Sequence, residues 1–425
     1  MRTTFPAPRR ARAALLLALI ALLAAGAAYA PLAHAGPRSA SSAVVTMGDS
    51  YISGEAGRWF GNSIDPAASR DGTDRACVFT AGLCTSYDKS KVYVDGTAAN
   101  GCHRSDVSEL LSARLAVTRR FNIACSGAVT KNLFRSSQGG VGQDGEPAQG
   151  DQLGPIARAN RVKLIEVSIG GNDLGFSSII ASCLEHYEAK QGPCMPSQQA
   201  AVQAKLPTAI AGVKKAIDEI HAVMSAAGYG RSDYRLVLQT YPSVAPRASE
   251  TRYAETGPDR TTFGCPFYDQ DLTWARDQAA PEIGGAVKSA ASARGVEVLE
   301  LIDAFQGREF CAKTTQEATP TTPPSPTTSE WGRFLSASAI QQGDLQEVFH
   351  PNAYGQQAFG ACLTLLYAAR TPGDFRCTNT PGAAPSAMRL ARTATFRVRP
   401  GARPRHKTRP HHRRAPRRAQ PRFTG

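Results

Sequence analysis

Five short runs of aliphatic and β-branched residues recur along the chain, and they constrain its fold more than any other feature. Each run is bounded by glycine, proline or polar residues, which is typical of a buried strand. The runs are Ala43–Met47, Phe121–Ala124, Val162–Ile169, Arg235–Tyr241 and Val296–Ile302. Because helical patterns lie between or after them, the sequence predicts an α/β fold in which helices cover a central parallel sheet.

Two apolar stripes with a spacing close to 3.6 residues predict long amphipathic helices. The first stripe comprises Leu206, Ile210, Val213, Ile217, Ile220 and Met224. The second comprises Phe359, Cys362, Leu363, Leu366 and Tyr367, on a helix that follows Pro351-Asn352. In a parallel sheet the loops after the strands gather at one edge, so we expect reactive side chains there.

The first 35 residues read as a secretory signal peptide. Arginines come first, an apolar run spans Ala13–Ala30, and Ala33-His34-Ala35 supplies a small-x-small cleavage site. We expect cleavage after Ala35, with Ala30 as the second choice and an uncleaved membrane anchor as the alternative. Residues 36–378 then form the folded domain of a secreted or extracellular protein.

The net charge of +14 is concentrated at the two ends of the chain. From Pro381 onward there are twelve arginines and one lysine, and no acidic residue follows Asp374. The body is therefore nearly neutral, which argues against specific binding of nucleic acid. Residues 379–425 are predicted to be a disordered basic tail, either a carrier of contacts with anionic envelope polymers or lipids, or a soluble extension. Thr314–Ser329, dense in threonine and proline, is predicted to be an exposed and poorly ordered excursion.

Ten cysteines in an exported chain predict disulfides rather than metal thiolates. The sequence contains neither a C-x-x-C pair nor an H-E-x-x-H motif, and no metal site is expected. Connectivity stays open at this stage, and pairing of neighbours is the simplest arrangement. It gives Cys77–Cys84, Cys102–Cys125, Cys183–Cys194, Cys265–Cys311 and Cys362–Cys377.

Residues suited to acyl transfer stand after the first strand and before the last helix. Ser50 follows the first predicted strand, and His350 precedes the helix of the second stripe. A serine hydroxyl needs a base to remove its proton, and neutral imidazole suits that task. Glu347, three residues before His350, could orient the imidazole. Asp218 and His221 have the same spacing, but His221 falls within a helical stripe, which favours His350 as the base.

Acyl transfer also requires hydrogen-bond donors for the developing oxyanion. The backbone N–H groups of Ser50 and Gly127 and the side-chain amide of Asn172 are candidates, because all three follow predicted strands. Asp49, beside the serine, is expected to organise the nucleophile loop.

Four short blocks carry a resemblance to a known family. Gly48-Asp49-Ser50, the glycine at 127, Gly170-Gly171-Asn172-Asp173 and Glu347-x-x-His350-Pro351 resemble the motif blocks of the SGNH, or GDSL, hydrolases. The stretch Met47–Glu55 is similar to the secreted actinobacterial lipase and esterase branch, and the resemblance extends from about residue 43 to residue 370.

The resemblance implies a flavodoxin-like three-layer α/β/α sandwich that needs no cofactor. It implies Ser50 as nucleophile, Gly127 and Asn172 as oxyanion donors, and His350 as base. Three of the cysteine pairings match the disulfides expected in that branch: Cys102–Cys125, Cys183–Cys194 and Cys265–Cys311. The usual acid of the last block is aspartate, so Glu347 is a departure, and in some members a backbone carbonyl orients the histidine instead.

Two functions follow as expectations. The first is a secreted serine esterase or lipase that acts as a monomer on carboxylic esters or lipids through an acyl-Ser50 intermediate. The second is a non-catalytic envelope protein that binds polyanions on a hydrolase scaffold.

Overall fold

The computed structural model describes residues 40–65, 69–335 and 342–394. The predicted signal peptide lies outside these residues, and so does the chain after residue 394. Within the described part, no helix is both long enough and apolar enough to cross a membrane.

Nine strands form one large sheet and one hairpin. The strands are β1 (Ser42–Gly48), β2 (Cys77–Thr80), β3 (Leu83–Tyr87), β4 (Arg119–Asn122), β5 (Arg161–Ser168), β6 (Arg235–Gln239), β7 (Glu297–Glu300), β8 (Asp374–Thr378) and β9 (Arg389–Ala394). The large sheet has the order β4-β1-β5-β6-β7-β8-β9, and every neighbouring pair is parallel except β8 and β9. The antiparallel pair β2 and β3 stands apart as a hairpin.

Ten α-helices accompany the strands among the described residues. They are α1 (Ser50–Ser53), α2 (Thr97–Asn100), α3 (Glu109–Ser112), α4 (Gln149–Ala159), α5 (Phe176–Glu188), α6 (Met195–Ala226), α7 (Asp259–Thr262), α8 (Asp269–Trp274), α9 (Ala280–Arg294) and α10 (Ala353–Ala368). A π-helical turn, Ala275–Ala279, joins α8 to α9.

The predicted α/β fold with a mainly parallel central sheet is confirmed. All five predicted strands are present, and the two apolar stripes lie on α6 and α10. One apolar core packs α4, α6 and α9 against one face of the sheet, and a second core packs α10 against the other face. Residues of β1 alternate between these two cores, which explains why Ala43, Val44, Val45 and Met47 are all apolar.

The domain continues beyond the boundary predicted at residue 378. Strand β9 pairs with β8 from Thr378↔Arg389 to Asp374↔Ala394, and Met388 is buried in the core that contains Phe375. Residues 379–394 therefore belong to the folded domain rather than to the tail, which corrects the prediction for this segment.

The excursion Thr314–Ser329 is more firmly packed than its composition suggests. It has turns and isolated bridges instead of helix or strand, as its threonines and prolines favour. However, Thr315, Ala318 and Ser329 are buried. The Ala318 N–H donates to the carbonyl of Asn62 at 2.8 Å. The expectation of an exposed, poorly ordered segment is therefore wrong for these anchored positions.

The structure brings the ten cysteines together in neighbouring pairs. The bonds are Cys77–Cys84, Cys102–Cys125, Cys183–Cys194, Cys265–Cys311 and Cys362–Cys377. The last of them fastens α10 to β8, and the second fastens the loop before Gly127 to the segment after α2.

Candidate active site

The loop after β1 presents Ser50 at the carboxyl edge of the sheet. Ser50 is the first residue of α1, and Asp49 caps that helix by accepting a hydrogen bond from the Tyr51 N–H at 3.2 Å. Gly48 has φ +129°, and a Cβ placed there would lie 1.8 Å from the carbonyl oxygen of Ser168 on β5. Only glycine therefore permits β1 to run this close to β5 and still turn into the serine.

His350 lies against Ser50, although 300 residues separate them in the chain. Its Nε2 atom is 2.7 Å from the Ser50 Oγ atom. The histidine stands just before α10, whose first turn is capped by the side chain of Asn352. The Tyr51 hydroxyl donates to the carbonyl of Phe349 at 2.9 Å, so the nucleophile helix itself holds the histidine loop.

The other ring nitrogen of His350 does not meet a carboxylate. Its Nδ1 atom is 2.9 Å from the carbonyl oxygen of Val348. Phe349, between the two, has φ +59°, a left-handed conformation that is unusual for a bulky residue. This turn lets the histidine hydrogen-bond a carbonyl only two residues earlier.

Glu347 serves a different set of partners, which corrects the prediction that it orients His350. Its carboxylate accepts hydrogen bonds from the Trp59 Nε1–H at 2.9 Å, the Tyr93 hydroxyl at 2.5 Å and the Asp344 N–H at 3.1 Å. Glu347 is fully buried beneath the histidine loop. It therefore anchors the loop that carries Val348 and His350, and the alternative with a backbone carbonyl describes the geometry.

Burial also changes the pKa of His350. Removal from water lowers the pKa of His350 to about 4, and the hydrogen bond with the Val348 carbonyl opposes this only in part. The imidazole is consequently neutral at pH 7, and its Nε2 can accept a proton from Ser50.

The residues of the three predicted oxyanion donors line the same cleft as the Ser50 hydroxyl. Within the described residues no group accepts a hydrogen bond from the N–H of Ser50 or from that of Gly127. The side-chain amide of Asn172 donates to the carbonyl of Ala128 at 2.9 Å, which orients it and leaves its second N–H available. Gly127 has φ +77°, and this conformation is the physical reason for a glycine at that position.

Tyr241, at the end of β6, is a member of the site that the sequence did not indicate. Its hydroxyl donates a short hydrogen bond to the Asp49 carboxylate and accepts one from the Gly171 N–H at 3.0 Å. Burial raises the pKa of Asp49 to about 7 in spite of hydrogen bonds from the Tyr241 hydroxyl, the Tyr51 N–H and the Ser168 hydroxyl. The tyrosine thus joins the nucleophile loop to the loop that bears Asn172.

The other candidate histidine lies elsewhere. His221 is on α6, where its Nδ1 atom is 2.5 Å from the Tyr234 hydroxyl, and neither residue lines the cleft of Ser50. His103 is buried, and its Nδ1 atom is 2.8 Å from the Glu55 carboxylate. The ring of Tyr93 stacks on it. Both histidines are held in packing or polar networks away from the hydroxyl.

Ser50 and His350 open into a cleft of about 720 Å³. Gly127 and Asn172 line it too, and apolar side chains such as Phe176 and Leu184 form one wall. A small, almost wholly apolar pocket of about 100 Å³ adjoins the cleft and shares Phe176, Ile180 and Phe349 with it. The site can therefore place an apolar group beside the serine hydroxyl.

The groups of possible metal ligands in the described residues each combine a disulfide with one aspartate, Asp144 or Asp271. Sulfurs that are bonded to each other are not thiolate ligands. These groups therefore offer a metal ion only one carboxylate each.

A mainly parallel α/β sheet with a serine and a histidine in contact at its carboxyl edge is the arrangement of a hydrolase. The sequence matches the model of the GDSL-like lipase/acylhydrolase family over residues 44–363, a range that contains all four motif blocks. The chain belongs to this family, which confirms the resemblance described above. It is an enzyme of the carboxylic ester hydrolase class, and its substrates are esters or lipids.

Similar proteins come from Streptomyces. Lipase 1 of Streptomyces coelicolor is 25% identical over 351 residues, which cover 82% of this chain and 95% of that protein. An esterase of Streptomyces scabiei is 26% identical over 197 residues, 42% of this chain and 54% of its own length. Among solved structures, an extracellular lipase from Streptomyces rimosus shares 20% identity with a TM-score of 0.42, over 77% of this chain and 100% of its own. Phospholipase A1 from Streptomyces albidoflavus also shares 20% identity, with a TM-score of 0.43 over 78% of this chain and 100% of its own.

Proposed function

We propose that the protein hydrolyses carboxylic esters outside the cell through an acyl-Ser50 intermediate, with His350 as general base. The observation that carries the proposal is the 2.7 Å contact between His350 Nε2 and Ser50 Oγ. A neutral imidazole at that distance can take the hydroxyl proton as the oxygen attacks. The ten paired cysteines support a location outside the reducing cytosol.

The first half of the reaction forms the acyl-enzyme. Ser50 Oγ bonds to the ester carbonyl carbon, its proton passes to His350 Nε2, and the carbonyl electrons move to the oxygen. The N–H groups of Ser50 and Gly127 and the amide of Asn172 stabilise that oxyanion. When the intermediate collapses, the bond to the alcohol oxygen breaks and His350 returns the proton to it.

The second half uses water in place of the serine. His350 removes a proton from a water molecule, whose oxygen bonds to the acyl carbon. The bond to Ser50 Oγ then breaks, the serine recovers its proton from His350, and the carboxylic acid leaves. The apolar pocket beside the cleft supports an aliphatic acyl chain as the group that enters there.

The test compares Ser50→Ala and His350→Ala with wild type on a soluble chromogenic acyl ester. Both variants should lose hydrolysis and keep the wild-type melting temperature. His221→Ala is the matched control, because this histidine has an acid at the same spacing and lies away from the cleft; it should keep full activity. Full activity in Ser50→Ala or in His350→Ala contradicts the mechanism.

The non-catalytic, polyanion-binding alternative differs in its response to an organophosphonate. An activated Ser50 should be phosphonylated by such a reagent, and mass spectrometry of the tryptic peptides would locate the adduct. A native protein without the adduct and without turnover on any ester would support the alternative.

A further inference from the structure

The hairpin of β2 and β3 ends in an exposed apolar tip. Residues 79–83, with the sequence Phe-Thr-Ala-Gly-Leu, are all solvent-exposed, and the side chains of Phe79 and Leu83 are 66% and 71% exposed. Residues 76–87 contain no charged side chain. The tip therefore offers two large apolar groups that take no part in the core of the domain.

The hairpin is held by a disulfide and by hydrogen bonds at its base, although the side chains at its tip are exposed to solvent. Isolated two-stranded hairpins are marginally stable in water. Here a disulfide links Cys77, the first residue of β2, to Cys84, which stands next to the tip on β3. At the base, the Asp88 N–H donates to the carbonyl of Ala76 at 2.8 Å, and Lys91 Nζ donates to the carbonyl of Cys77 at 3.1 Å. The apolar side chains are thus presented on a fixed support.

The base of the hairpin is attached to the rim of the active-site cleft. Lys89 lies two residues after the end of β3, and its Nζ atom is 2.8 Å from the Asp344 carboxylate. The next residue, Leu345, lines the cleft and is 75% exposed. In the described part of the chain, Leu345, Leu83 and Phe79 are the three most exposed large apolar side chains, and the next is Val141 at 42%.

We propose that Phe79, Leu83 and Leu345 form a lipid-contact surface, which seats the enzyme on aggregated ester substrate with the cleft facing the lipid. This proposal rests on the proposed ester hydrolysis and names the physical form of its substrate. A tip without charged groups provides little directional recognition of a protein partner, whereas entry into a lipid surface requires only that apolar side chains leave water. The link from Lys89 to Asp344 attaches the base of the hairpin next to Leu345, which lines the cleft, so the hairpin and the cleft belong to one side of the domain.

Binding is measured first in a Ser50→Ala background, so that hydrolysis does not alter the vesicles. Phosphatidylcholine vesicles at high salt keep electrostatic attraction of the basic tail small. Sedimentation with these vesicles should show roughly ten- to hundredfold weaker partitioning for Phe79→Ser/Leu83→Ser than for the parent. Leu365→Ser, an exposed leucine on α10, is the control and should bind like the parent.

Activity is measured next in the protein with Ser50 intact. The hairpin variant should hydrolyse a soluble short-chain ester at the wild-type rate and an emulsified long-chain ester at least about tenfold more slowly. If the wild type is inactive, the proposed hydrolysis is wrong. The vesicle-binding result then tests the lipid-contact surface independently of activity. If the double variant binds vesicles as well as the parent protein does, the proposed lipid-contact surface is wrong.

A third measurement guards against a hairpin that is merely destabilised. In Phe79→Trp the tip keeps an apolar aromatic group, and its fluorescence should shift to shorter wavelength when phosphatidylcholine vesicles are added. The three native tryptophans supply the background, which the parent protein measures. The absence of a shift would contradict the proposal. A shift that depends on protein concentration when vesicles are absent would also contradict it, because that result identifies the tip as a contact between two copies of the chain.

Discussion

The Nδ1 atom of His350 lies 2.9 Å from the carbonyl oxygen of Val348, two residues earlier in the chain. A carbonyl accepts a hydrogen bond from Nδ1–H and so leaves Nε2 as the unprotonated nitrogen that faces Ser50. A carbonyl has no full charge, however, and stabilises the imidazolium less than a carboxylate does. The orientation of the base therefore depends on the backbone at Phe349 and on the buried anchor that holds this loop, Glu347.

Replacement of Glu347 by glutamine should cost little turnover. Loss of a carboxylate that contacts the catalytic histidine can lower kcat about 10⁴-fold. Because Glu347 bonds Trp59, Tyr93 and Asp344 instead, we expect kcat of Glu347→Gln within about tenfold of wild type. The melting temperature should fall by a few degrees, since at least one buried hydrogen bond is weakened.

Glu347→Ala provides the comparison for this anchor. It leaves the buried donors of Trp59 and Tyr93 and the partly buried N–H of Asp344 without their acceptor, and it should lower the melting temperature more than glutamine does. Calorimetry and kcat on a soluble ester, measured for both variants, separate the two roles. A thousandfold loss of kcat in Glu347→Gln at an unchanged melting temperature would show that the carboxylate acts on His350 directly.

The acid limit of activity should lie unusually low. Burial lowers the pKa of His350 to about 4, against about 6.5 for an exposed imidazole. We therefore expect kcat/KM to stay nearly constant from pH 7 to about pH 5 and to fall as pH drops through about 4, where the base becomes protonated. The unfolded chain binds this proton more tightly, so the free energy of unfolding should also decrease as pH falls from about 6.5 to about 4.

Two measurements check this prediction. Initial rates on a soluble ester between pH 3 and 8 give the acid limb, and circular dichroism at each pH shows that the protein is folded. His221, whose pKa burial also lowers to about 4, is the control. His221→Ala should retain the acid limb, and a midpoint near 6.5 in the wild type would refute the buried, neutral base.

Asn172→Ala should impair the chemical step. Loss of one oxyanion donor typically lowers kcat by about 10²–10³-fold, while KM changes little because the ground-state carbonyl is bound weakly by that donor. Asn160→Ala removes another partly buried asparagine, at the end of α4, and should affect stability alone. Steady-state kinetics and melting curves of both variants test the assignment, and a kcat above a tenth of the wild-type value would contradict it.

Two truncations test the boundary of the domain. Removal of residues 395–425 should leave the melting temperature and the hydrolysis of a soluble ester unchanged. Removal of residues 379–425 also deletes β9 and Met388, and it should lower the melting temperature by about 5 °C or more because the edge of the sheet and part of the core are lost. Equal melting temperatures for the two proteins would mean that β9 contributes nothing to stability.

The central strands could be predicted because nearly all of their side chains are buried, on either face of the sheet. Residues 43–47 are buried on both faces of the sheet, and a run of apolar residues is the result. Strand β8 has only Phe375 and Cys377 buried, and residues 389–393 of the edge strand β9 are exposed or only partly buried. Strand β8 depends on pairing with β7, which is far away in the chain, and β9 depends in turn on β8, so periodicity within a short window reveals neither strand.

Ser50 and His350 were predicted to meet, and their side chains lie 2.7 Å apart, whereas the supporting contacts of Glu347 and Tyr241 were not predicted. Ser50, Asn172 and His350 stand at strand ends or before a helix, where short polar motifs remain visible in the sequence. Glu347 has the spacing of a partner for His350, but the left-handed backbone at Phe349 redirects the chain between them. Tyr241 follows an ordinary buried strand, and its role arises only from the position of β6 beside β5.

The disulfide between Cys102 and Cys125 links the proposed activity to the oxidation state of the chain. Cys125 lies two residues before Gly127, and the Ser126 N–H donates to the carbonyl of Cys102 at 3.2 Å, so the crosslink restrains the segment that carries the proposed oxyanion donor. As long as both thiols are reduced, that segment has one covalent restraint fewer. If Gly127 is an oxyanion donor as proposed, reduction of this bond should lower hydrolysis of a soluble ester, and reoxidation should restore it.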